Sequence, residues 1–87
     1  MEDKYVYKFR YLDDEDSLYL IWDNINQCHV WANREQFLTI LDNNKKNPSN
    51  ITLIFDSVDE AIEFKNNIGV SNNAKLVKLE DIINGKD

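Results

Sequence analysis

YVYKFRYLDDEDSLYLIWD, residues Tyr5 to Asp23, contains two alternating apolar runs separated by four consecutive acids. Tyr5, Tyr7, Phe9 and Tyr11 fall on one side of an extended chain, and Val6, Lys8, Arg10 and Leu12 on the other. Leu18, Leu20 and Trp22 alternate with Tyr19, Ile21 and Asp23 in the second run. Period two with aromatic enrichment predicts a pair of strands. Pairing Leu12 with Ser17 sets Tyr11 against Leu18, Phe9 against Leu20 and Tyr7 against Trp22. The opposite side then pairs Arg10 with Tyr19 and Lys8 with Ile21. That register buries one apolar face, leaves the other mixed, and does not tolerate a one-residue slip.

Asp23 to Gln27 has turn composition, because Asn and Asp tolerate left-handed backbone and bond locally. Cys28 to Trp31 is expected as a short third strand. Asn33 followed by Gln36 is a capping-box pattern that opens a helix with Phe37, Leu38, Ile40 and Leu41 on its apolar stripe. The polar run up to Pro48 ends it. Ile51 to Phe55 carries no charge and is expected as a central strand, covered on both sides. Ser57 and Glu60 form a second capping box. The helix after it runs through Ala61, Ile62, Phe64 and Ile68 to Gly69, which supplies a left-handed cap. Lys75 to Leu79 is a last strand, Ile82 and Ile83 sit on a short terminal helix, and residues 84–87 are expected to fray. The order βββ-α-β-α-β indicates an α+β fold, read as a two-layer sandwich. Ile51 to Leu79 is expected to form a right-handed crossover between parallel strands.

At 87 residues the chain supports one small acidic domain with a single core. Its 43% hydrophobic and 30% charged content is that of an ordinary globular protein. No apolar run approaches the ~20 residues of a membrane span, and the first residues lack a signal-peptide pattern. One cysteine, Cys28, provides no internal disulfide. A cytoplasmic location is therefore expected. A net charge of −6 disfavours direct binding to nucleic acid or to an anionic membrane, and suits a protein partner with a basic surface.

Two acidic groups hold half of the 16 acids: Asp13, Asp14, Glu15 and Asp16 at the hairpin tip, and Asp56, Asp59, Glu60 and Glu63 around the second helix start. The tip does not match an EF-hand: counted from Asp13, Ser17 and Leu18 stand at the fifth and sixth positions, the sixth belonging to glycine, and Asn24 stands at the twelfth, which belongs to a glutamate. A solvated tip is the plainer reading. Around the second helix, first-turn acids complement the helix dipole, and Asp59 and Glu63 project together at i,i+4 spacing. Read together, the two groups are a surface of carboxylates able to occupy the basic channel of a nucleic-acid enzyme. In size and charge the chain is similar to small phage counter-defence inhibitors of the anti-CRISPR type, without any motif of theirs.

Other chemistries find little support. Cys28 and His29 are adjacent and point to opposite faces of a strand, so they form neither a dyad nor a metal site. Cys28 is expected as a small buried hydrophobe and His29 as a strand-surface residue. No phosphate loop, nucleophile elbow or zinc spacing is present. A non-enzymatic protein without a metal or other cofactor is therefore expected. The Tyr5–Tyr11 aromatics resemble the stacking platforms of RNA-binding sheets, but they lack basic surroundings and are better placed in a core. Trp22 and Trp31 are candidate interface anchors. The expectation is a small acidic binding protein that docks on a basic partner, in its sharpest form an inhibitor of a nucleic-acid-processing enzyme. The alternative is an immunity- or antitoxin-like cytosolic interaction module using exposed aromatics.

Overall fold

A computed structural model describes residues 3–10, 17–43 and 49–86. The elements follow the order β1 (Tyr5–Phe9), β2 (Leu18–Asp23), β3 (Cys28–Asn33), α1 (Arg34–Leu41), β4 (Asn50–Thr52), α2 (Val58–Phe64), β5 (Lys75–Lys78) and α3 (Leu79–Asn84). A π-helical turn, Lys65–Gly69, extends α2. The α+β class and the element order are as the sequence predicts. The sheet runs β3-β2-β1-β5, with β4 added on β2.

The hairpin forms in a different register. Lys8 pairs with Tyr19 and Phe9 with Leu18, two residues from the expected alignment of Phe9 with Leu20. A shift of two leaves every side chain on its expected face, because side chains alternate with period two. Tyr7 and Leu20 therefore still share a face, and both are buried with Phe55 and Ala61. The closing pair proposed at Leu12 and Ser17 involves a residue outside the described ones.

The second face of the hairpin, with its mixed composition, also carries a packed apolar cluster. Val6, Tyr19 and Ile21 are buried there with Ala32, Phe37 and Ile82. Phe37 comes from α1 and Ile82 from α3, while Ala61 on the first face comes from α2. Helices thus reach both faces of the sheet, which adds a second packed face to the sandwich read from the sequence. The charged positions expected to spoil this face, Lys8 and Arg10, lie toward the hairpin end of β1, past the buried Val6.

The expected parallel crossover does not occur. β4 is antiparallel to β2, and β5 is antiparallel to β1. Because β1 and β2 are themselves antiparallel, β4 and β5 run in opposite directions and lie on different neighbours. Nor is Ile51–Phe55 a covered central strand: only Asn50–Thr52 is regular, and Ile51 is exposed. The reason lies in how β1 and β2 diverge. β2 pairs with β1 at Lys8 and Phe9. At Tyr5 the partner is instead Phe55, through two backbone hydrogen bonds of 2.9 Å. Residues 50–55 enter the fork between the two strands.

Local chemistry fixes the helix ends. Asn33 Oδ1 accepts the Gln36 N–H at 2.8 Å, and Gln36 Oε1 accepts the Asn33 N–H at 3.2 Å, completing the capping box of α1. In α2, Ser57 Oγ accepts the Glu60 N–H at 3.1 Å, but Glu60 Oε2 accepts from Asp56 N rather than from the cap residue. Gly69 ends the π-helical turn at φ +89°, a conformation favouring glycine. In the β2–β3 turn the left-handed residue is Gln27, at φ +54°. The Asp23 carboxylate accepts from the Asn26 side chain and from the N–H groups of Asn26 and Ile25. These bonds, the Asn26 side chain first, hold its pKa below the ordinary aspartate value.

Of the residues expected to fray, Gly85 and Lys86 are tied back to α3 by hydrogen bonds, and Asp87 lies outside the described residues. Gly85 takes φ +71°, its N–H donates to Ile82 O, and the Lys86 N–H donates to Asp81 O at 2.8 Å, the Schellman pattern of bonds. Arg34 Nε donates to Ile82 O at 3.1 Å and Arg34 Nη2 to Ile83 O at 3.2 Å, so the first residue of α1 caps the last turn of α3. Ile82 is fully buried whereas Ile83 is half exposed. Ile82→Ala should lower unfolding free energy by about 3 kcal/mol. Ile83→Ala should change it by less than ~0.5 kcal/mol. Urea unfolding of both variants checks the docking of α3.

Candidate partner-binding surface

The site is built on α2. Tyr7 of β1 fixes the helix from below: its hydroxyl donates to Ala61 O at 2.6 Å in the buried interior. Burial raises the Tyr7 pKa above the ordinary tyrosine value. Ala61 is completely buried, and Tyr7 meets Phe55 edge-on at 5.6 Å. With Ala61 and Phe64 turned inward, the other α2 positions face water. Val58, Asp59, Glu60, Ile62 and Glu63 are all exposed.

The four acids expected here have different surroundings. Asp56 forms an ion pair with Lys4, which removes part of its charge from the outer surface. One Glu60 oxygen holds the Asp56 N–H. Asp59 and Glu63 have no ion-pair partner among the described residues. A pair as exposed as Lys4–Asp56 contributes little to stability, so its main consequence is for the surface field. Val58 and Ile62, one turn apart, add exposed apolar area beside the carboxylates, at 42% and 47% exposure. The other acidic group, Asp13 to Asp16, lies outside the described residues.

The two tryptophans are engaged internally. The Trp22 indole N–H donates to Asn24 Oδ1 at 2.8 Å, and its ring meets His29 edge-on at 4.8 Å. Trp31 packs on Phe9 at 5.5 Å and against the Tyr7 cluster. Both are half-buried. Tyr5 and Tyr7 belong to that same cluster, in keeping with a core role for these two rings, while Tyr11 lies outside the described residues.

Two expectations are corrected. Cys28 is exposed rather than buried, because it starts β3 beside the β2–β3 turn, opposite Asp23. His29 is half-buried rather than a surface residue: Phe64 stands across it at 5.4 Å and 85°, with Trp22 on another side. Nothing local in the sequence signals this contact, since Phe64 arrives from the end of α2. The roles of Lys4 and Arg34 were equally hidden, each depending on a partner some fifty residues away.

Among the described residues no group of three or more His, Cys, Asp or Glu is placed to hold a metal ion, and no helix is long and apolar enough to cross a membrane. No family model, curated protein or solved structure matches the chain.

If the outer acids have no structural task, removing their charge should leave the fold intact. Asp59→Asn and Glu63→Gln should each change stability by less than ~0.5 kcal/mol. Ser57→Ala, which deletes the cap, should cost about 1 kcal/mol. Thermal melts of the three variants separate the capping residue from the surface charges.

Proposed function

We propose that this chain is a small acidic, non-enzymatic binding protein of the cytoplasm that docks the outer face of α2 on a basic surface of another protein. In its sharpest form the partner is a nucleic-acid-processing enzyme, and the carboxylates occupy part of its phosphate-binding channel, as in phage counter-defence inhibitors of the anti-CRISPR type. The observation that carries this reading is the pair Asp59 and Glu63, exposed one turn apart and without an ion-pair partner among the described residues, in a chain of net charge −6. Carboxylates at i,i+4 spacing form a short row about 6 Å apart. Such a row steers a cationic surface toward it and strengthens encounter at low ionic strength.

The structural surroundings narrow the surface. Asp56, balanced by Lys4, contributes less than its neighbours. Val58 and Ile62 supply the apolar centre that a protein interface needs. This favours a folded protein partner over a bare polyelectrolyte.

Capture of the partner from the native host, repeated at low and high salt, tests the proposal. Affinity should fall steeply with salt, since charges separated by more than a Debye length are screened. The double variant Asp59→Lys/Glu63→Lys should lose binding, while Trp22→Phe retains it. Salt-independent binding that survives the double reversal would remove the acidic surface from the account.

A further inference from the structure

A cavity of about 310 Å³ opens beside the π-helical turn. His29 and Trp31 of β3, Phe64 at the end of α2, and Ile68 and Ser71 beyond it line the space, with Leu20 among them. It is separate from the acidic residues of α2, none of which lines it.

The walls are aromatic and held in place. His29 and Trp31 are two residues apart on β3 and so rise from the same face of the sheet. Phe64 crosses His29 at 85°, with ring centroids 5.4 Å apart. Phe64 is itself packed on Phe55 at 5.1 Å and on Tyr7 at 6.4 Å, and Trp31 on Phe9 at 5.5 Å. Leu20, only 4% exposed, belongs to the rigid core. On the opposite side the helix widens into a π-helical turn, a feature found often at functional sites. A Cβ built on Gly69 would meet nothing within 4 Å, so the turn leaves this side open.

The polar groups are few and available. Neither ring nitrogen of His29 has a hydrogen bond among the described residues. Ser71 Oγ accepts the Asn73 N–H at 3.2 Å and keeps its own proton to donate. Among the described residues no Asp, Glu, Lys or Arg lines the cavity. A volume at the low end of the ligand-pocket range excludes a large ligand. The absence of lining cations, in a chain of net charge −6, disfavours a phosphorylated one. Aromatic walls select rings that stack offset or meet edge-on at 4.5–7 Å.

We propose that this cavity binds an uncharged planar heteroaromatic group of one or two fused rings, packed among Trp31, Phe64 and His29, with its polar edge served by the imidazole and the Ser71 hydroxyl. The test is titration of the full chain with indole and with adenine, using cyclohexanol as the saturated control, followed by the NMR shift of the Trp31 indole N–H. At least one of the two ring compounds should give a saturable shift with a dissociation constant on the order of 1 mM or tighter, and cyclohexanol should not. Trp31→Leu, followed instead through the backbone amides of Ile68 and Ser71, should weaken binding about tenfold. Ser71→Leu, at an exposed loop position, should block it without changing the melting temperature. No saturable shift with either ring compound, an equal response to cyclohexanol, or undiminished binding by the folded Ser71→Leu variant would overturn the proposal.

Discussion

The hydrogen bond from the Tyr7 hydroxyl to the carbonyl of Ala61 is the interaction on which the outward face of α2 depends. It is short, at 2.6 Å, and buried. It joins the middle of β1 to the middle of α2 across 54 residues of sequence. A phenol buried without a partner costs free energy, and here the helix carbonyl satisfies it. The same contact fixes the rotation of α2. With Ala61 pressed on the sheet, Asp59, Ile62 and Glu63 turn outward, and Phe64 swings over His29. The charged surface and the aromatic cavity are thus two consequences of one docking geometry.

Sheet and helices share the work of burial on two sides. Val6 and Tyr7 are neighbours in sequence, yet each belongs to a different apolar cluster. The same is true of Tyr19 and Leu20. A small domain buries a limited fraction of its surface. Using both faces of its central strands lets this chain include Phe37 and Ile82 in one cluster and Phe55 in the other. Residues 50–55 complete the arrangement by filling the space where β1 and β2 separate.

Much of this was legible in the sequence, for physical reasons. Alternation in Tyr5–Phe9 and Leu18–Asp23 specifies faces, and those faces are observed. The cap at Asn33 is written in local residue types. Register was not legible, since a two-residue shift leaves the alternation unchanged. Strand direction was also lost: the apolar run at Ile51 looks like a buried parallel strand, and only the edge already occupied at β1 decides otherwise. At the candidate surface, the exposure of Asp59 and Glu63 follows from helix periodicity around Ala61. The pairing of Asp56 with Lys4 does not, because it depends on where Phe55 meets Tyr5. Cys28 was misplaced because its residue type favours burial while its position at a strand start does not.

Amide hydrogen exchange of Tyr7→Phe tests the docking of α2 most directly. The variant keeps the ring and deletes one hydrogen bond, whose net worth is about 1 kcal/mol. The account expects the helical amides of Ile62, Glu63 and Phe64 to exchange about fivefold faster, while Leu20 and Ile21 in the β2–β3 ladder keep their protection. Equal loss of protection in both places, or no change in α2, would contradict it.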